Sequence, residues 1–217
     1  MIHCSAFNEI YSIYESIKPT IIARLEEFRE LKDRGSEEEI FKELVFCLLT
    51  PQSRAELCWT AVENLAKRNL LLAGDSESIA NSLIGVRFKA TKAQYIIEAR
   101  RKFMVDGELR LKNRLCGFND VRGARDWLAG DVQGLGYKEA SHLLRNIGLG
   151  TDLAILDRHI LKNLKLLGVI EEIPASLSRR RYLELEREMK DFSERIHIPL
   201  SHLDFVLWYK ETGIVFK

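Results

Sequence analysis

Two glycines spaced Gly-x-Gly between two helix-forming runs constrain this chain more than any other feature. The stretch Asp131-Val-Gln-Gly-Leu-Gly-Tyr-Lys138-Glu-Ala-Ser-His142-Leu-Leu-Arg145 reads as the end of one helix, a tight turn and the start of a second. Gly134 and Gly136 can both take positive φ and, without Cβ atoms, admit another backbone at close range. The amides of the turn and of the following helix start then form an outward donor cluster of the kind that holds a phosphate. In the second helix Ala140, Leu143, Leu144 and Ile147 recur at helical spacing, which predicts a buried face. Lys138, Ser141, His142 and Arg145 fall together on the opposite side, which predicts a polar working face.

Lys138 stands in the first turn of its helix, where the macrodipole disfavours a cation and favours the neutral amine that a nucleophile needs. A lone lysine there is ordinarily solvated surface. Asp157, in Leu-Ala-Ile-Leu-Asp157-Arg-His, is ordinarily the N-cap of the helix it precedes. Paired within this hairpin context, the two residues favour chemistry over those bland roles.

Gly134-Leu-Gly136-Tyr-Lys138 followed by Ile155-Leu-Asp157-Arg-His resembles the helix-hairpin-helix and Asp signature of the endonuclease III superfamily of base-excision DNA glycosylases. Gly-Tyr-Lys-Glu-Ala-Ser-His and Ile-Leu-Asp-Arg-His-Ile-Leu are similar, more specifically, to the second, archaeal-type class of 8-oxoguanine DNA glycosylases. The resemblance runs from about Phe41 to Lys217. It implies an all-α helix-hairpin-helix glycosylase fold, with two helical domains and a cleft between them. A six-helix-barrel domain over 36–137, ending in the hairpin, is expected beside a second domain made of 1–35 with 138–217.

The same resemblance implies a bifunctional DNA N-glycosylase and abasic-site lyase acting on double-stranded DNA that contains 8-oxoguanine. Lys138 is the expected nucleophile and Asp157 the carboxylate that stabilises the developing sugar charge. His142, one helical turn from Lys138, is a pocket candidate read from spacing alone. Gln133, Gly134, Gly136 and Arg158 are expected on the DNA backbone.

Composition fits a globular protein of one or two domains, 217 residues with 46% hydrophobic and 30% charged side chains. A formal net charge of +1 requires any affinity for DNA to come from local clustering. Neither a signal peptide nor a membrane-spanning run is seen, so a cytoplasmic monomer, nucleoid-associated when on DNA and without membrane attachment, is expected. Cys4, Cys47, Cys58 and Cys116 are scattered without a C-x-x-C pair, so the Fe–S cluster of many superfamily members lacks its ligands. No metal site and no required cofactor is expected; a monovalent cation on the hairpin carbonyls is implied by analogy only.

Elsewhere the chain reads as successive helices. Phe7, Ile10, Tyr11, Tyr14 and Ile17 form a stripe predicted to break near Pro19, and Ile21, Ile22, Leu25 and Phe28 form another, ended by Gly35 as a left-handed cap. Ser36 with Glu39 forms a capping box before the apolar run Ile40–Leu49, which predicts a central buried helix. Ser53 with Glu56 predicts another box, Asn119 a cap for the first hairpin helix, and Ser201 with Asp204 a capping pair for the last. No segment shows convincing strand alternation.

Gln52 then sits in a tight turn before a helix. By resemblance it fills the gap left by an extruded nucleotide, a task for which an amide is suited because it both donates and accepts. In Gly85-Val-Arg87-Phe88-Lys89 an aromatic lies between cations, which fits nucleic-acid contact. By resemblance Phe88 and Trp208 flank the flipped base and the C-terminal Lys217 reads it. The apolar tail Ile214-Val-Phe216 is expected to dock that terminus. Two alternatives stay open: an oxidised-pyrimidine glycosylase of the endonuclease III type, and a non-catalytic hairpin that only binds DNA.

Overall fold

The computed structural model describes residues 4–217, with side chains from residue 7 onward; Cys4, one of the scattered cysteines, lies outside the described side chains. The chain forms helices α1 (Cys4–Arg34), α2 (Glu37–Leu49), α3 (Ala55–Lys67), α4 (Leu70–Ala73), α5 (Ser76–Ser82) and α6 (Lys89–Phe103). A two-stranded ribbon follows, β1 (Met104–Val105) with β2 (Glu108–Leu109). Helices α7 (Leu111–Cys116), α8 (Val121–Asp131), α9 (Tyr137–Asn146), α10 (Arg158–Leu166), α11 (Arg179–Arg195) and α12 (Leu200–Thr212) complete the all-α fold. The ribbon went unforeseen because each strand is two residues long. Its one cue is Asp106-Gly107, whose positive φ values suit a two-residue hairpin turn.

Two compact units are present: Glu30–Leu149, and Gly150–Lys217 together with α1 as far as Arg29. The division expected after Tyr137 falls after Leu149, because α9 packs on α2 and α8 within the first unit.

In the Glu30–Leu149 unit α2 is the centre. Ile40, Phe41, Leu44, Val45, Phe46, Leu48 and Leu49 are all buried, and each contributes about 1.5–3 kcal/mol by leaving water. The helix starts in the expected capping box, Ser36 Oγ accepting from Glu39 N and Glu39 Oε2 from Ser36 N. Gly35 does not adopt the left-handed conformation expected of it. It is required for space instead, since a Cβ there would lie 2.3 Å from the Leu31 carbonyl oxygen. Two buried polar side chains join α2 to α9: Asn146 Nδ2 donates to Glu43 Oε2 at 2.9 Å.

In the Gly150–Lys217 unit, Tyr182, Leu185, Met189, Phe192 and Ile196 form the buried stripe of α11 that their spacing predicts. The extended segment Leu153–Leu156 runs buried beneath them. Its backbone is satisfied by side chains: Tyr182 Oη donates to Ala154 O at 2.7 Å, and Glu186 Oε2 accepts from Ala154 N at 3.0 Å. The same unit holds α1 through Tyr14, whose hydroxyl meets His202 Nδ1 at 3.1 Å, and through the ion pair of Lys210 with Glu9 at 2.8 Å.

Three expectations are corrected here. Helix α1 runs unbroken through Pro19, because Ile10, Tyr14, Ile17, Ile21 and Phe28 are buried along one face on both sides of it. Burial of that face offsets the roughly 3 kcal/mol that an interior proline costs. Asp120 rather than Asn119 caps α8, accepting from Gly123 N at 3.3 Å. Helix α12 starts after Pro199 with no side-chain cap; Asp204 is buried and accepts from its neighbour Phe205 N.

The Glu43–Asn146 bond joins two buried groups, so Glu43→Ala leaves Asn146 with its donor stripped of a partner. The expected loss is about 2–4 kcal/mol in urea unfolding, and a loss below 1 kcal/mol would show that the pair contributes little.

Candidate active site

The hairpin between α8 and α9 is built as its glycines require, but only one of them is left-handed. Gly134 has φ +91°, and a Cβ there would lie 2.4 Å from the Tyr95 ring on α6. Gly136 has φ −98° and ψ −172°, extended backbone open to any residue, so its expected positive φ is corrected. It is the N-cap of α9 instead, and its N–H donates to Glu139 Oε2 at 3.2 Å. Gln133 is exposed in the turn.

Lys138 lies in the first turn of α9 with its side chain 22% exposed, and its Nζ is 3.3 Å from Glu139 Oε1. One carboxylate thus closes the helix start and holds the ammonium. The rest of α9 corrects the expectation of a polar working face. Ser141, His142 and Arg145 are buried, because α2 and α8 flank the helix and leave its far side little solvent. Ser141 and Arg145 are hydrogen-bonded inside the unit: Arg125 Nη1 on α8 donates to Ser141 Oγ at 3.4 Å, and Arg145 Nε to Asn146 Oδ1 at 3.1 Å. His142 meets Phe46 of α2 edge to face, ring centroids 5.5 Å apart.

Two further stretches of this unit carry sequence-predicted residues. The turn after α2 is closed by Ser53 N donating to Thr50 O at 3.0 Å. Pro51 stands second in it and Gln52 third with φ +57°, a combination typical of type II turns. Gln52 is exposed. The capping box predicted for Ser53 and Glu56 does not form: α3 starts after Arg54 without a side-chain cap. The Ser53 hydroxyl is taken instead by Arg87 N at 3.0 Å and Lys92 Nζ at 3.1 Å.

Arg87 and Phe88 belong to the loop before α6. Phe88 is also left-handed, at φ +57°, and 55% exposed, with the Arg87 guanidinium 5.5 Å from its ring centroid. A ring so exposed does not anchor its loop. Left-handed φ at a glutamine and a phenylalanine costs each about 1–2 kcal/mol, and such strain gathers where a side chain must be aimed.

Lys92, Tyr95 and Glu139 had no assigned role in the sequence. Lys92 on α6 is 4% exposed, and its Nζ donates to Leu49 O and Pro51 O, each at 2.7 Å, as well as to Ser53. Burial pushes its ammonium below the usual lysine value, and the Lys138 and Arg87 charges add to the shift. A buried lysine in an otherwise ordinary amphipathic helix gives no sign of itself in one sequence. Burial also raises the thiols of Cys47 and of Cys58, the latter to about 11, and Cys58 Sγ donates to Leu49 O. Both therefore stay protonated and unreactive. Among the described residues, no group of three or more His, Cys, Asp or Glu side chains is placed to hold a metal ion.

The Gly150–Lys217 unit carries the remaining predicted residues. Asp157 is the N-cap of α10, its Oδ1 accepting from Ile160 N at 2.8 Å, with the buried Leu153–Leu156 segment fixing where it emerges. Arg158 is exposed beside it. Trp208 on α12 is half-buried, with His159 edge-on at 5.2 Å. Glu211 binds Lys162 Nζ at 2.8 Å and Asn163 Nδ2 at 3.1 Å, joining α12 to α10; the Lys162 hydrogen bond holds its carboxyl below the usual range. Gly213 takes the expected left-handed cap, and Ile214 to Lys217 are all half-buried.

The chain matches the family described as 8-oxoguanine DNA glycosylase over residues 21–198. It is 44% identical to the 8-oxoguanine DNA glycosylase/AP lyase of Fusobacterium nucleatum over 211 residues, 97% of either chain. The crystal structure of Methanocaldococcus jannaschii 8-oxoguanine glycosylase/lyase in complex with 15mer DNA containing 8-oxoguanine superposes with a TM-score of 0.88 at 38% identity, covering 97% of this chain and 99% of that one. That of the 8-oxoguanine DNA glycosylase of Thermotoga maritima has a TM-score of 0.87 at 37% identity, covering 97% and 98%.

Gly134→Ala puts a Cβ into Tyr95 as well as onto a positive φ, so it is expected to cost about 2–4 kcal/mol in urea unfolding. In a Tyr95→Ala background the same change is expected to cost only about 1–2 kcal/mol, the φ penalty alone. Equal costs in both backgrounds would remove Tyr95 as the reason for the glycine.

Proposed function

This chain belongs to the 8-oxoguanine DNA glycosylase family, and on that premise we infer that it excises 8-oxoguanine from duplex DNA and nicks the abasic site left behind. The carrying observation is likeness over nearly the whole chain to relatives named for both activities. Its substrate is double-stranded DNA containing 8-oxoguanine, a reading supported by the 15mer DNA containing 8-oxoguanine in the M. jannaschii structure. No helix among the described residues is long and apolar enough to cross a membrane. We place its work on the DNA of the cytoplasm, as a monomer that needs no metal or organic cofactor.

The roles follow from the chemistry each group can do. The hairpin amides around Gly134 and Gly136, with Gln133 and Arg158, hold phosphates and set the register without reading sequence. The damaged nucleotide is turned out of the stack, and Gln52 takes its place opposite the orphaned base, with Arg87 on the backbone. Phe88 and Trp208 supply flat apolar surfaces to the base, and His142 lines the pocket from α9.

Lys138 is the nucleophile. Its Nζ, held by Glu139 until substrate arrives, attacks C1′ once deprotonated. The N–C1′ bond forms as the bond from C1′ to the base breaks, and the base leaves with a proton. The sugar ring opens to a protonated imine. Loss of a C2′ proton then expels the 3′ phosphate and cuts the strand. Asp157 stabilises the positive charge that develops on the sugar, and its N-cap bond to Ile160 keeps the carboxylate aimed.

Lys217, half-buried with Ile214 to Phe216, is the residue assigned to reading the base. Oxidation turns N7 of guanine from an acceptor into a donor, and a group fixed beside it that senses this proton discriminates the two.

Lys138→Gln is expected to abolish excision and borohydride trapping while still binding lesion duplex in a gel-shift assay; full activity would sink the mechanism. Asp157→Asn keeps a capping side chain and is expected to slow base release by about 10²-fold or more in single turnover. If it only lowers the melting temperature, Asp157 is a cap alone. Deleting Lys217 is expected to cut 8-oxoguanine excision about tenfold or more, with much less effect on nicking of a pre-formed abasic site. Unchanged excision would remove Lys217 from base reading.

A further inference from the structure

Lys92 is the one buried cation of this unit whose side chain serves only a turn, and that turn carries Gln52. An ammonium has three donors and no acceptor. Here three acceptors meet them: Leu49 O, where α2 ends, Pro51 O just before Gln52, and Ser53 Oγ just after it. The two residues flanking Gln52 are therefore fixed by one charged group. Ser53 extends the grip, because the same hydroxyl oxygen accepts from Arg87 N. The backbone of Lys92 completes it, its N–H donating to Phe88 O in the first turn of α6.

Two exposed, left-handed residues, Gln52 and Phe88, thus hang from a single lysine. Without that hold each would relax towards the right-handed or extended backbone that non-glycine residues prefer. Bringing an ammonium into the protein interior is costly, and a glycine at position 52 would form the turn without it. The clamp makes sense where the side chain at 52 must be glutamine and must point outward.

We propose that Lys92 is a positioning residue for base extrusion: its buried ammonium holds the Thr50–Ser53 turn and, through Ser53, the Arg87–Phe88 loop as one rigid edge, so that Gln52 enters the duplex already aimed. It touches neither base nor sugar. It acts before chemistry, on the step that empties the stack, and leaves Lys138 to act as before on a site with no base left to extrude. The inference deepens the wedge reading of Gln52 and rests on it.

The test is Lys92→Met, which keeps an unbranched side chain one atom shorter and removes its charge and donors. Stopped-flow fluorescence of 2-aminopurine placed next to 8-oxoguanine gives the extrusion rate, and nicking of a pre-formed abasic site gives the chemistry after it. Extrusion is expected to slow about tenfold, with abasic-site nicking within about threefold of the wild-type chain. Ser53→Ala, which removes the acceptor shared by Lys92 and Arg87, is expected to show the same pattern more weakly. It decides on the same readouts should Lys92→Met fail to fold. Loss of nicking equal to the loss of extrusion, or unchanged extrusion, overturns the proposal. Gln52→Ala run alongside separates the two ideas. If it leaves extrusion unchanged, the wedge reading falls and the clamp with it. If it slows extrusion while Lys92→Met and Ser53→Ala do not, the clamp alone falls.

Discussion

The burial of α9 against α2 and α8 is the constraint on which the Glu30–Leu149 unit depends. A ten-residue helix has too few hydrogen bonds to be stable alone. It persists because Ala140, Leu143 and Leu144 enter the core and because Ser141, Arg145 and Asn146 are hydrogen-bonded inside the unit as well. The Asn146–Glu43 and Ser141–Arg125 bonds hold it from two sides. Its first three residues, Tyr137 to Glu139, stay partly exposed, and Lys138 is among them. The amine proposed as the nucleophile is thereby mounted on a helix held from two sides, with limited freedom in where it points. Catalytic groups gain from such mounting, since a misplacement of an ångström is costly in rate.

Strain is the second theme. Left-handed backbone at Gln52 and Phe88 opposes the intrinsic preference of both residues, and both are exposed. The core does not ask for these side chains; the surroundings hold them outward. Turn closure at Thr50, the Ser53 hydroxyl and the Lys92 ammonium over-determine the conformation. Gly134 shows the opposite case, where the strained position is given to the residue that bears it without cost and the missing Cβ makes room for Tyr95. The glycines at 134 and 136 look equivalent in sequence, yet one answers to φ and to sterics and the other caps a helix.

In the other unit, order comes from side chains that satisfy a buried backbone. Tyr182 and Glu186 of α11 bond the extended segment before Asp157, so that segment needs no sheet. Asp157 then emerges as an N-cap, where its carboxylate has one fixed direction. The ordinary structural role and the proposed catalytic one use the same geometry, since a cap that aims a carboxylate also presents it.

Much of this was legible in one dimension, for a physical reason. Helical periodicity, a Ser36–Glu39 capping box and a Gly-x-Gly turn are local signals, set by residues within a few positions of one another. The burial of α2, the α11 stripe, the helix-hairpin-helix and the candidate residues Lys138 and Asp157 all follow from such signals. What failed were local rules overruled from a distance. Pro19 should break a helix, but apolar burial on both sides of it carries α1 through. Ser53 should cap α3, but Arg87 and Lys92 claim its hydroxyl from far along the chain. Ser141, His142 and Arg145 should face water, but α2 and α8 close over them, because polar spacing shows which side of a helix they share and not what packs against it. Local pattern was enough for most of the helices, for the hairpin and for the residue types able to do the chemistry. Which polar groups are buried, and whom they serve, follows from packing between distant segments, since those partners lie 16 residues apart for Ser141 and Arg125, 39 for Lys92 and Ser53, and 103 for Asn146 and Glu43.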